Sequence, residues 1–186
     1  EKHLLQPTDV NGINKMAGEW YHTLYHRVHG LPVCILRLTN TYGPRMRIKD
    51  ARQTFLGLWI RQILAGEEIQ VFGNGNQIRD FTYVDDAVEA LLLAAASKEV
   101  DGQIFNLGGD DKISLGELAK FIVELHGSGG YRLTPFPEDL KAIDIGDYYA
   151  DDSRIRSKLD WRPRVRLREG LMITLKYYQD HGQHYV

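Results

Sequence analysis

Three features of this 186-residue chain predict an α/β fold. Two short, almost unbroken apolar runs, residues 32–38 and 103–107, read as strands buried on both faces, as inner strands of a parallel sheet are. Helical patterns with an apolar face recur at residues 9–29, 55–64, 87–96 and 115–126. Strands alternating with helices of this length are what a parallel sheet with helical crossovers requires.

Each element has its own signal. Ile13, Met16, Ala17, Trp20, Tyr21, Leu24, Tyr25 and Val28 recur at three- and four-residue steps, which predicts a long helix over 9–29 stopped by Gly30. The run 32–38 opens at Thr39-Asn40, beyond the carboxyl end of a strand, where ligands of open α/β sheets sit. Residues 46–53 are polar and basic and suit a mobile lid or a plain connector. Phe55, Leu58, Trp59, Ile60, Ile63 and Leu64 make a helix that ends near Gly66. Residues 69–72 form a short strand, 73–76 a turn, and the next strand alternates apolar Phe81 and Tyr83 with polar Asp80 and Thr82. Asp85 or Asp86 is then the expected cap of a more buried helix over 87–96. Ser114 and Glu117 form a capping box for the helix 115–126. Gly127-Ser128-Gly129-Gly130 stops that helix; a strand at 131–134, a loop at 135–147 and helices near 153–159 and 167–179 complete the chain.

Composition excludes several classes of function. Apolar residues at 43% and charged residues at 26% are ordinary for a globular protein, and a net charge of -2 leaves no basic footprint for nucleic acid or an anionic membrane. No apolar run approaches the roughly 20 residues that span a bilayer, and the first residues lack the pattern of a signal peptide. Cys34, the single cysteine, has no internal disulfide partner; it reads as a buried, inert thiol, and a reducing cytoplasm is the expected setting. His22, His26 and His29 share a helix face, but no carboxylate or cysteine joins them at ligand spacing, so no metal site is expected.

The stretch that carries chemistry is Gly73-Asn74-Gly75-Asn76-Gln77-Ile78-Arg79-Asp80-Phe81-Thr82-Tyr83-Val84-Asp85-Asp86. Arg79 stands at the exit of a glycine turn, and its planar fork suits a planar or tetrahedral oxyanion. On spacing alone, a pair with Asp80, Asp85 or Asp86 is the commoner fate of such an arginine.

This stretch resembles the signature of the extended short-chain dehydrogenase/reductase superfamily, in particular the nucleotide-sugar epimerases and dehydratases typified by UDP-glucose 4-epimerase. Four further stretches match that family in order: Asn14-Lys15 with Glu19; residues 36–45; Phe105-Asn106-Leu107-Gly108-Gly109; and Trp161-Arg162-Pro163 before Glu169-Gly170-Leu171. The resemblance implies the carboxy-terminal part of a doubly wound, Rossmann-like parallel sheet with a small α/β substrate-binding lobe. Residues 1–40 and 86–110 would belong to the nucleotide-binding part, and 41–85 and 111–186 to the lobe. It further implies NAD as cofactor with Lys15 on its ribose, and a nucleoside diphosphate sugar held by Asn40 and Arg79. A homodimer through the 10–29 helix is implied as well.

The implied reaction removes a hydride from a sugar ring carbon and returns it, most simply as an epimerisation. A 4,6-dehydratase and a non-catalytic nucleotide-sugar binding protein are the alternatives. The sequence departs from the family at three places. The family's catalytic tyrosine, four residues before Lys15, is Asn11 here, and an amide has no proton to exchange near neutral pH. The family's second diphosphate-binding arginine, two residues before a Gly-Asp pair, is matched by Asp144. No Gly-x-x-Gly-x-x-Gly turn lies between a strand and a helix, so the chain is expected to be a carboxy-terminal fragment, inactive by itself.

Overall fold

Asp9 and Gly30 bound the first helix as their residue types dictate. In the computed structural model, which describes residues 1–49 and 54–185 with Asp139 in its backbone alone, α1 runs Val10–His29. Asp9 accepts the Gly12 amide at 2.6 Å, and Gly30 closes the helix at φ 66°, a left-handed conformation that costs glycine little. Next come β1 (Cys34–Leu38) and its parallel partner β5 (Gln103–Leu107), in register from Cys34 opposite Gln103 to Leu38 opposite Leu107. Arg37 of β1 grips Glu19 of α1 with two bonds, Nε to Oε2 at 2.9 Å and a terminal nitrogen to Oε1 at 2.6 Å, which fixes helix to strand. The expectation of a strand buried on both faces is corrected here. β1 is only half-buried, because β5 is its one partner among the described residues and α1 buries none of its own residues.

The remaining strands form two further sheets. β2 (Asn40–Tyr42) runs parallel to β4 (Ile78–Tyr83), whose other edge takes β6 (Lys112–Ser114) antiparallel. β3 (Ile69–Phe72) pairs in parallel with β7 (Tyr131–Thr134). The two strands either side of the 73–76 turn therefore leave for different sheets. Gly73 and Gly75, at φ 72° and 71°, turn the chain, and the Gly75 and Gln77 carbonyls accept the Gly116 and Leu115 amides. The polar members of the alternating β4 pattern are also inside: Arg79 through Tyr83 are all buried. Gly109 explains how a segment can lie directly on this strand, since a Cβ there would stand 2.0 Å from the Phe81 carbonyl oxygen.

Two cores result. The larger joins α2 (Phe55–Leu64), β3, β4, α4 (Leu115–His126) and α7 (Leu167–His181) around Ile60, Ile63, Ile69, Val71, Leu118, Ile122 and Leu171, all fully buried. Burying each such side chain contributes about 1.5–3 kcal/mol. The Ser114–Glu117 capping box at the head of α4 is present as expected. The smaller core sets α3 (Val84–Ala96) and β5 against α6 (Ser153–Leu159), which follows the single turn α5 (Glu138–Lys141), through Ala87, Ala90, Phe105, Leu107, Ile155 and Trp161.

α3 departs from the sequence expectation twice. It exposes Val88, Leu91 and Leu92, so one side faces solvent. No side chain caps it: Tyr83 is the residue before its first turn, and Asp86 instead turns outward to the loop 161–165. Residues 46–49 are docked, with Ile48 buried and the Tyr178 hydroxyl donating to the Met46 carbonyl. The rest of the lid-or-connector segment, residues 50–53, lies outside the described residues.

Candidate functional site

Arg79 is the buried cation of β4. It sits opposite Ile113 of β6 on one side and Tyr148 on the other, and is 8% exposed. One terminal nitrogen, Nη1, donates to the Ile78 carbonyl at 2.9 Å and to the Gly146 carbonyl. The other, Nη2, lies 4.0 Å from Asp144 Oδ1. The loop that carries these partners is fastened to β4 by the Ile78 amide, which donates to Asp147 Oδ1 at 2.9 Å, and by the Tyr148 amide, which donates to the Ile78 carbonyl at 2.9 Å. Burial pulls the Arg79 guanidinium below its ordinary value, while Asp144, Asp147 and Asp80 push it back up. It remains a cation. The acidic partner of Arg79 is thus Asp144, distant in sequence, and not Asp80, Asp85 or Asp86.

Asn40 and Asp80 build the floor beside it. The Asn40 side-chain amide donates to the Asp80 carbonyl at 3.0 Å, bracing β2 on β4. Asp80 is fully buried; its Oδ2 accepts the Ala150 amide at 3.0 Å. Burial raises the Asp80 carboxyl, and the Ala150 amide and then the Thr39 hydroxyl oppose the rise. The hydroxyls of Thr41 and Thr82 are buried without partners among the described residues.

Asn11 and Lys15 stand apart from this group. Both are exposed on the first half of α1, four residues apart and so on one helix face, and neither makes a hydrogen bond or ion pair among the described residues. The strand pairing sets Asn40 opposite Phe81, two residues along β4 from Arg79, and among the described residues no hydrogen bond joins either to Asn11 or Lys15. Tyr42, close to the motif in sequence, is structural: it is buried, its hydroxyl donates to the Leu167 carbonyl at 3.4 Å, and burial raises it.

The histidine stripe serves the helix. His22 and His26 bond the carbonyls of Gly18 and Leu31, each at 2.7 Å, and His29 packs on Tyr25; no three ligands converge among the described residues. Cys34 is half-buried, and burial, then Asp101, raises its thiol. No described helix is long and apolar enough to cross a membrane. Surface cavities of about 540 and 410 Å³ lie elsewhere, the larger between α4 and the start of α7 near Phe121 and Arg168, the smaller near Ile48 and Tyr178. Neither is lined by Asn11, Lys15, Asn40 or Arg79. Sequence reasoning missed Asp147 and the loop-pinning role of Asp86, because their partners are backbone amides that no side-chain spacing reports.

The sequence profile of the NAD dependent epimerase/dehydratase family matches residues 1–108. The chain belongs to that family. Among its relatives within the epimerase/dehydratase family are a putative UDP-glucose 4-epimerase of Methanocaldococcus jannaschii, 31% identical over 98% of this chain and 57% of its own length, and a dTDP-glucose 4,6-dehydratase of an Actinoplanes strain, 30% identical over 96% and 54%. A solved structure, UDP-glucuronic acid 4-epimerase from Bacillus cereus in complex with UDP-glucuronic acid and NAD, superposes with a TM-score of 0.84 at 29% identity, over 97% of this chain and 56% of that one. The chain therefore spans about half the length of the epimerase/dehydratase relatives it matches. Its α/β architecture with parallel strand pairs is theirs.

Proposed function

We propose that this chain is the substrate-side portion of an NAD-dependent nucleotide-sugar epimerase-like protein, in which Asn40 and Arg79 hold the diphosphate of a nucleoside diphosphate sugar. The observation that carries this reading is Arg79: a nearly buried guanidinium, fixed by two carbonyls, two residues along β4 from the partner of Asn40. A fork so oriented is suited to a phosphate oxygen pair. Lys15, exposed on α1, takes the cofactor ribose, and Asn11 hydrogen-bonds the sugar without acting as a base.

A 4,6-dehydratase is a second reading, since one relative of each kind is about equally similar. A binding protein without turnover is a third, favoured by Asn11 in place of a proton-exchanging residue. Among the described residues the strand-to-helix junctions at Tyr83–Val84 and Ser114–Leu115 lack a glycine-rich turn, so this chain offers NAD a ribose contact and not a pyrophosphate cradle; by itself it is inactive.

The two cores support a division into nucleotide-binding residues 1–40 and 86–110 and lobe residues 41–85 and 111–186, with the exception that Ile155 and Trp161 pack with the former. The exposed stripe of Trp20, Tyr21, Leu24, Tyr25 and Val28 on α1 supports a homodimer through this helix. The single half-buried thiol of Cys34 supports a reducing cytoplasm.

Calorimetric titration with UDP-glucose, dTDP-glucose and NAD tests the proposal. Sugar-nucleotide binding that Arg79→Ala weakens at least about tenfold, or about 1.4 kcal/mol, is the expected result. Binding indifferent to Arg79→Ala, or no binding in any form of the protein, would overturn it.

A further inference from the structure

We propose that Asp144 is a specificity-determining residue of the Arg79 site, an internal counter-anion that a diphosphate must displace before it reaches the guanidinium. The inference rests on the reading of Arg79 given above and says how strongly that site accepts an anion. Of the guanidinium's two terminal nitrogens, Nη1 is engaged by the carbonyls of Ile78 and Gly146, so the Nη2 side is the part left to meet a ligand. Asp144 faces that side. Its Oδ1 stands 4.0 Å from Nη2, too far for a hydrogen bond and close enough to neutralise the charge.

The other two carboxylates near Arg79 each hold a backbone amide. Asp80 accepts the Ala150 amide and Asp147 accepts the Ile78 amide. Among the described residues Asp144 is the carboxylate that forms an ion pair with the guanidinium, and its Oδ1 accepts only a local hydrogen bond, from the Gly146 amide at 3.3 Å. Three aspartates around one arginine give the surroundings of Arg79 a formal surplus of two negative charges before any ligand arrives. An incoming diphosphate therefore meets repulsion that a neutral nucleoside does not.

The loop is also built to yield. Ile143 and Ile145, either side of Asp144, are 40% and 51% exposed, and the Asp144 side chain itself is 28% exposed. Upstream, the loop is tied by long bonds, Ile143 amide to Leu140 carbonyl at 3.2 Å, Asp144 amide to Lys141 carbonyl at 3.4 Å, and Thr8 hydroxyl to Ile143 carbonyl at 3.4 Å. Gly146, at φ 63°, supplies the turn on which Asp144 swings, between the weak upstream ties and the firm anchor at Asp147.

The test is calorimetric titration of the wild-type chain, Arg79→Ala, Asp144→Asn and the two substitutions combined, using UDP, dTDP and uridine as probes, with circular dichroism to verify the fold. Asp144→Asn keeps the side chain's shape and removes its charge. The expected result is about tenfold tighter binding of UDP or dTDP in Asp144→Asn, equivalent to about 1.4 kcal/mol, an unchanged response to uridine, and loss of the gain when Arg79 is also removed. Unchanged diphosphate affinity in Asp144→Asn, with Arg79→Ala still weakening it, overturns the counter-anion and leaves the diphosphate site intact. A gain that survives Arg79→Ala overturns the counter-anion as well, and no binding by any variant overturns both.

Discussion

Replacing Asp86 tests whether a carboxylate in the first turn of a helix serves that helix or something else. In α3 it faces away from its own amides: Oδ1 accepts the Arg164 amide at 3.0 Å and Oδ2 accepts the Val165 amide at 3.1 Å, while its carbonyl takes the Trp161 indole N–H at 2.9 Å. The side chain is 3% exposed. Asp86→Ala keeps the carbonyl bond and removes two charge-assisted bonds at about 1.5–3 kcal/mol each, offset where the freed amides reach water, so a net loss of about 2–4 kcal/mol is expected. Asp85 is the control, since it occupies the same first turn and is exposed. Its interaction with the helix dipole is worth about 0.3–1 kcal/mol. Urea unfolding, with a slope of about 2–3 kcal/mol/M, should move the Asp86→Ala midpoint down by about 1 M and barely move that of Asp85→Ala. Equal shifts for the two variants would refute the pinning role and return Asp86 to an ordinary helix-start acid.

Two further predictions concern α1 and α4. A double-mutant cycle on Glu19 and Arg37, whose side chains are 11% and 20% exposed and joined by two bonds, should give a coupling of about 1–2 kcal/mol, and a value within error of zero would mean the grip on β1 comes from packing alone. At the head of α4, the Ser114 hydroxyl and then its amide hold the exposed Glu117 carboxyl below its usual 4.5. A depressed carboxyl contributes stability above its unfolded value and loses it as pH falls through the folded one, so the box should weaken on acidification below about 4.5. Ser114→Ala should cost about 1 kcal/mol at neutral pH and return Glu117 toward its ordinary titration, read by carboxyl NMR; an unmoved Glu117 would show that the depression has another source.

Local rules were legible in the sequence where cause and effect lie within one turn of helix. Asp9 and Gly30 bound α1, and Ser114 with Glu117 heads α4, because each satisfies amides or carbonyls a few residues away. Legibility failed where the partner is remote. Asp86 has the type and position of a cap but answers to amides of Arg164 and Val165, and Arg79 is followed by Asp80, Asp85 and Asp86 yet faces Asp144. Burial was misjudged for the same reason. Thr82 and Asp80 sit at outward positions of an alternating strand, but Gly108 and Gly109 let another segment cover that face. The site was legible in its residue types, through the motif around Arg79 and the acid at Asp144, and not in the approach of Asp144 to the guanidinium, which the path of a loop some 65 residues downstream determines.

The pair of Arg37 and Glu19 gives β1 its one charge and its tie to α1 in the same stroke. A half-buried five-residue strand of Cys-Ile-Leu-Arg-Leu has four apolar side chains and a single polar one, and that one is turned to the helix. The strand thus uses its only charge to hold α1, whose own residues are nowhere buried, so a helix with little packing to anchor it is moored by an electrostatic clasp. Loss of either member would leave α1 with contacts at its ends and, among the described residues, none of comparable strength along its length.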